Sequence, residues 1–270
     1  NNSGSLTVTN STLSGNTAGS VGGGIYNKSG ATLTVTNSTL SGNTAGSVGG
    51  GIFNDNGAIL SITNSTLSGN TAGSVGGGIY NKSGATLTVT NSTLSGNSAV
   101  YGGGGIVNIG TLTVTNSTLS GNSANYGGGI LNYNGNVNIT NSTISGNSAN
   151  SGGGIYNISG STTLTNSTLS GNTAGSVGGG IFNDNGAILS ITNSTLSGNS
   201  ANGGGGIFNS GTLAISNSTL SGNTANYGGG ILNDRGTLTV TNSTLSGNTA
   251  GFGGGIYNKT GSTLNIANTI

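Results

Sequence analysis

Leu6 to Asn27 reads LTVTNSTLSGNTAGSVGGGIYN, and the fold is decided by how this phrase repeats. It returns about ten times, with only short polar turns between the copies. The Asn of its NST triplet falls at Asn10, Asn37, Asn64, Asn91, Asn116, Asn141, Asn166, Asn193, Asn217 and Asn242, and degenerately at Asn268. Steps of about 24 to 27 residues are too short for a helix pair or a propeller blade and suit a leucine-rich repeat or a β-helix coil. A leucine-rich repeat wants a helical segment on its outer side. Here that stretch is Gly, Ser, Asn and Thr, which are poor helix formers.

Alternation gives the strands. In Leu6-Thr7-Val8-Thr9 the apolar residues stand at i and i+2 with threonines between, the period of a half-buried strand. The same inward pair recurs as Leu33/Val35, Leu60/Ile62, Leu87/Val89, Leu112/Val114 and Leu238/Val240. From Val8 to Leu13 the step is odd, so the chain bends near Asn10-Ser11-Thr12 and a second strand begins at Leu13. A third strand is expected over Gly23 to Asn27, with Ile25 inward, Tyr26 outward and Ala18 at a corner between. The expected fold is all-β: a single-stranded right-handed parallel β-helix of about ten coils, each of about 24 to 27 residues with three short strands. A single coil cannot enclose its apolar side chains. Stacking closes the core from above and below, and each side chain then meets its own copy.

Three asparagines recur in register. They are Asn10, Asn16 and Asn27, then Asn37, Asn43 and Asn54, then Asn64, Asn70 and Asn81. An Asn amide both donates and accepts, and strands stack about 4.8 Å apart, so all three columns are expected to be structural ladders. Asn also tolerates the left-handed conformation of sharp bends. The rival reading is N-glycosylation, since each NST is an acceptor sequon. It needs exposed Asn side chains, and sugars at strand spacing would clash.

Composition narrows the function classes. There are four basic and three acidic side chains and a net charge of +1. Nucleic acid or anionic membrane binding needs clustered Lys and Arg, so neither is expected. His, Cys, Met, Trp and Pro are absent from the sequence. No thiolate or histidine is available for catalysis or metal binding, and no cofactor is expected. The lack of Cys fits an extracellular site. No apolar run approaches a membrane span, so no membrane insertion is expected in this segment. Residues 1–270 read as one continuous repeat domain, without a boundary. The sequence opens just ahead of a strand and stops at Ile270 inside a further copy. That fits a window of a longer chain, or a subunit whose ends meet other subunits.

All seven charges sit in the turn after the third strand: Lys28, Asp55, Lys82, Asp184, Asp234, Arg235 and Lys259. At about 4.8 Å per coil, Asp184 and Asp234 stand roughly 10 Å apart, at the edge of the range of a glycosidase pair. Solvated turn charges are the expectation. The GGGI run is followed by no GK[ST] and lacks the Asp of a calcium nonapeptide. Its glycines are expected to permit tight bends and close coil-to-coil approach.

Two outward rows are candidate surfaces. Thr-x-Thr on the first strand recurs at Thr7/Thr9, Thr34/Thr36, Thr88/Thr90, Thr113/Thr115, Thr163/Thr165 and Thr239/Thr241, interrupted at Ser61, Asn138, Ser190, Ala214 and Asn265. Such arrays resemble the faces of ice-binding solenoids. They are also what exposed strands favour. The second row is Tyr26, Phe53, Tyr80, Val107, Leu131, Tyr156, Phe182, Phe208, Leu232 and Tyr257. It reads either as a self-stacking ladder partly covered by the Gly-rich turn, or as a stripe for lateral packing on a partner.

LSGN at Leu13–Asn16 resembles the FxxN half of the repeat in polymorphic outer-membrane proteins. GGGI at Gly22–Ile25 resembles its GGA(I/L/V) half. Leu stands for Phe and Gly for Ala, and both halves recur in nearly every coil. The resemblance implies a β-helical autotransporter passenger at the cell surface, serving display or adhesion. The expected function is thus a non-enzymatic extracellular fibre, stalk or adhesin repeat region that self-associates. Its expected partners are its own copies, end to end or laterally, with a host surface or carbohydrate as further candidates. The alternatives are ice binding through the Thr rows and a carbohydrate-binding or carbohydrate-active β-helix.

Overall fold

The computed structural model of the protein describes residues 1–2 and 4–269. Ile270 lies outside the described residues. Among them there is no helix. The chain winds as a parallel β-solenoid whose three long sheets have 11, 10 and 10 strands, each strand bonded to its counterpart one coil away.

The first sheet contains Ser5–Thr9, Thr32–Thr36, Ile59–Thr63 and their successors. Leu6 lies against Leu33 and Val8 against Val35. The second contains the short strands Thr12–Ser14, Thr39–Ser41 and so on, with Leu13 against Leu40. The third contains Ile25–Asn27, Ile52–Asn54 and their successors, with Ile25 against Ile52. Like lies over like because the hydrophobic period and the coil period coincide. A one-residue slip would turn every aliphatic to solvent.

The enclosed columns are the expected ones. Leu33, Val35, Leu40 and Ile52, with their equivalents at Leu112, Val114, Leu119 and Ile130, have no solvent exposure. One buried cluster of aliphatics runs up the stack, with Leu6, Val8 and Leu13 packed partly buried at its first coil.

The corner differs from expectation. Thr17–Ala18 is not a simple bend but a short fourth strand, paired in a four-stranded sheet with Thr44–Ala45, Thr71–Ala72 and Ser98–Ala99. Ala45 and Ala72 are buried there. A small residue is required because the Gly-rich segment packs close behind. A Cβ on Gly23 would run into the carbonyl oxygens of Gly50 and Thr44, and one on Gly24 into Gly51 O. Gly22 has φ +64, where an L side chain would also meet Ile25 O at 2.7 Å. The first glycine of the triplet makes the turn, and the next two let neighbouring coils touch.

Candidate functional site

Of the three expected asparagine columns, two are side-chain ladders. Asn43 is fully buried. Its Oδ1 accepts from the backbone N–H of Asn16 at 3.0 Å and from Asn16 Nδ2 at 2.9 Å. Its Nδ2 donates to Leu13 O and to Asn70 Oδ1 at 3.0 Å. In the other ladder Asn27 Nδ2 donates to Asn54 Oδ1 at 2.8 Å and reaches Ala31 O and Ile59 O. Asn54 repeats this toward Asn81. Each amide thus bonds its own copy in the next coil and bend carbonyls beside it, so the buried side chain is left with its polar atoms paired.

The Asn10, Asn37 and Asn64 column is corrected. These residues have φ of 48°, 49° and 50° and are exposed. Among the described residues, one side-chain bond joins members of this column, from Asn268 Nδ2 to Asn242 Oδ1. The inward residue at this bend is the following serine. Ser38 is buried, its hydroxyl donates to Thr36 O at 2.8 Å and accepts from the Ser11 N–H at 3.1 Å. Ser65 and Ser92 repeat the pattern. The left-handed turn throws the Asn side chain out and the Ser side chain in. The sequon asparagines are therefore at the surface, and only crowding at strand spacing still argues against glycans.

The aromatic row stands between its two readings, and the covered ladder describes it better. Tyr26 is 37% exposed and Phe53 only 6%. Tyr80, Tyr156, Phe182, Phe208 and Tyr257 are half-buried. The rings stack on one another. Phe53 and Tyr80 are 5.4 Å apart and nearly parallel, Tyr156 and Phe182 4.5 Å, and Phe182 and Phe208 meet edge-on at 5.0 Å. The Gly-rich turn packs close on the aliphatic members of the row, since a Cβ on Gly102 would touch Leu131 and one on Gly103 would touch Val107. Outside the row, exposed apolar residues are Val100, Tyr101, Tyr126 and Tyr133 on the middle coils, Tyr227 and Phe252 further on, and Ile59, Ile188 and Ile266 on the first sheet. The variable turns supply most of these, and the row reading missed them.

The charges are not simply solvated. Asp55 is 8% exposed. It accepts from Tyr26 Oη at 2.9 Å, Ser29 Oγ at 3.0 Å, Lys82 Nζ at 3.1 Å and the Asn56 N–H at 2.8 Å. Burial pushes its acidity down, but the donors from Asn56, Tyr26, Lys82 and Ser29 outweigh it and lower the pKa from 3.8 to about 2. The same bond to Asp55, with burial adding to it, raises the Tyr26 phenol. Lys82 also lies 5.8 Å over the Phe53 ring. Asp184 accepts from Tyr156 Oη at 2.9 Å and the Asn185 N–H at 2.7 Å. Burial first, then this bond, raises the Tyr156 phenol well above its usual value. Asp234 pairs with Lys259 at 2.8 Å. Among the described residues no group of three or more His, Cys, Asp or Glu could hold a metal.

The most regular outer face is one the sequence reading passed over. On the second sheet Thr12, Thr39, Thr66, Thr93, Thr118, Thr143, Thr168, Thr195, Thr219 and Thr244 form an unbroken outward column. Ser14, Ser41, Ser68 and their equivalents form a second one beside it. The repeat unit itself carried the signal: both positions are the same in all ten copies.

Residues 10–28, 64–82 and 242–259 match the family model of the Chlamydia polymorphic membrane protein repeat. No curated protein and no solved structure matches the chain. The matched stretches each span an NST bend, the Asn16-type ladder residue, the glycine triplet and the Asn27-type ladder residue, so each match covers most of one coil. The chain is a β-solenoid in which three coils match the Chlamydia polymorphic membrane protein repeat.

Proposed function

We propose that the chain is a structural β-solenoid of an extracellular or cell-surface protein, a stalk or fibre region that holds other parts away from the surface or adheres through its flanks. The observation that carries this reading is the coil shared with the membrane-protein repeat. The stack itself supports it. Its buried asparagines and serines are bonded coil to coil, so length can be added without new chemistry. Such a rod suits spacing and display. Catalysis would need converging acid and base groups, and the Asp residues here are held by structural donors. We further propose that copies associate laterally through the exposed aromatics Tyr101, Tyr126, Tyr227 and Phe252. Negative-stain electron microscopy of the purified chain is the test. Paired or bundled rods are expected, and Tyr101→Ser with Tyr126→Ser should disperse them. Dispersed single rods of the unaltered chain at high concentration would remove the lateral-association part. Surface placement is tested separately by protease or antibody access on intact cells expressing the full-length protein.

Ice binding remains as a second reading, favoured by one observation. The Thr12 and Ser14 columns give an uninterrupted grid of hydroxyls, spaced by about 4.8 Å along the stack and about 6.6 Å across the strand. The interrupted first-sheet rows do not. Thermal hysteresis that is present in the natural chain and lost in Thr118→Lys would support it. An ordinary freezing curve would end it.

A further inference from the structure

The chain contains the same stretch twice, NTAGSVGGGIFNDNGAILSITNSTLSGN at 43–70 and at 172–199. Asp55 and Asp184 therefore sit in identical local sequence, above equivalent tyrosines. Tyr26 Oη donates to Asp55 and Tyr156 Oη to Asp184, both at 2.9 Å. The Asn56 and Asn185 N–H groups cap the other oxygen at 2.8 and 2.7 Å. The two sites part company in the next coil. Over Asp55 that coil supplies Lys82, whose ammonium lies 3.1 Å from Oδ1 and 5.8 Å from the Phe53 centroid. Over Asp184 the same position is Ser210, in the shortened turn Asn209-Ser210-Gly211. Asp234 repeats the rule, taking Lys259 from the coil above at 2.8 Å. Asp184 alone of the three carboxylates has no lysine over it.

What stands there instead is a cleft of about 340 Å³, lined by Phe182, Asp184, Phe208, Ser210, Asp234 and Arg235. Arg235 is on its rim, highly exposed, and its guanidinium stands 4.0 Å from Asp234. The cleft floor keeps both groups that hold an ammonium at the equivalent place, a carboxylate oxygen and an aromatic face. Phe208 also meets Phe182 edge-on here, where Tyr80 lies flat on Phe53.

We infer that the Asp184 cleft is a receptor for a primary alkylammonium group, which would sit between the Asp184 carboxylate and the Phe182 ring as Lys82 sits between Asp55 and Phe53. The chemistry is charge-assisted hydrogen bonding with a cation–π contribution. Two sources supply such a group: a free amine, or a lysine of a second copy. Lys28 is the candidate on the copy, because its ammonium is bonded to the Asn2 side chain and, among the described residues, pairs with no carboxylate. The inference does not depend on the display role above.

The chain has three aspartates and no glutamate. Carbon-13 labelling of the Asp carboxyl carbons therefore gives three resonances, assignable by Asp→Asn variants. Putrescine titration at low salt is expected to move the Asp184 resonance with saturation, leave Asp55 in place, and fade as salt screens the pair. Ser210→Lys rebuilds the intramolecular partner and should abolish the response; should that variant fail to fold by circular dichroism, Asp184→Asn with loss of putrescine binding by calorimetry replaces it. Movement of the Asp184 resonance on concentrating the protein without amine, abolished by Lys28→Ala, would assign the ammonium to a second copy. Movement with putrescine alone would assign it to a small amine. No movement of Asp184 under either condition, or equal movement in Ser210→Lys, overturns the inference, whatever the rods do under the microscope.

Discussion

At the residue scale the interior is decided by which polar groups find partners. Thr162 occupies a position that is aliphatic in the neighbouring coils, between Val137 and Leu189. Its hydroxyl is buried and has no hydrogen-bond partner. An unmade buried hydrogen bond costs about 1–3 kcal/mol. Thr162→Val should therefore stabilise the chain by about 1 kcal/mol, read as a raised urea midpoint at unchanged slope. Asp55 gives the opposite sort of case. Its pKa falls on folding from 3.8 to about 2. A carboxyl depressed in the folded state contributes stability that is complete above its unfolded pKa and disappears as the pH drops through its folded one. About 2 kcal/mol should be lost between roughly pH 4 and pH 2 by this group. Urea midpoints across that window should fall for the natural chain and fall less for Asp55→Asn. The sequence showed two of the three ladders because buried Asn repeats at the coil period. It did not separate Asn10 from Ser11 as the inward residue, since both recur in every coil. The sign of one φ decides between them, and NST carries no parity signal across a left-handed bend. The Asp55 network was hidden for a different reason. Two of its donors, Tyr26 and Lys82, lie one coil away on either side, and only the column Lys28, Asp55, Lys82, read vertically, brings them together.

At the scale of an element the glycine triplet separates two uses of the same residue. A Cβ on Gly128 would stand 2.5 Å from Gly153 O and 2.5 Å from Ser148 O, both backbone atoms held by the stack. Nothing can move aside without breaking the coil interface. Gly146 has φ +61 and open space around it, so Ala there meets only the cost of the left-handed conformation, about 1–2 kcal/mol. Gly128→Ala should accordingly be among the most damaging substitutions in the chain, above about 4 kcal/mol, and Gly146→Ala mild. Hydrogen exchange would place the first lesion in the third sheet around Ile130 and leave the second almost silent. The three strands were legible from period-two alternation and its broken parity. The fourth, at Thr17–Ala18 and its copies, was not, because so short a strand cannot show a period.

At the scale of the whole molecule, the contacts are overwhelmingly between adjacent coils, and the same side chains meet at each interface. Stability is then a sum over like interfaces. Removing Ser117 to Asn141 takes out one whole coil and joins Asn116 to Ser142, so that the NST bend is restored across the junction. Leu112 then meets Thr162, Leu119 is replaced by Ile144 over Leu94, and the Asn97 amide finds Asn147 where Asn122 had been. The aromatic row loses Leu131 and brings Val107 against Tyr156, and in the turn before the glycines Gly102 meets Ser151 where Tyr126 had bridged both. The shortened chain should fold with an unchanged far-ultraviolet spectrum per residue. Small-angle scattering should show a rod shorter by about 4.8 Å, and the urea midpoint should drop modestly without loss of cooperativity. Collapse on deletion would mean that some coil is special, and that the additive picture behind the proposed display role is wrong. The lengths of the natural turns already argue for tolerance. The variation in coil length is absorbed in the two surface turns, while the ladder positions keep register throughout.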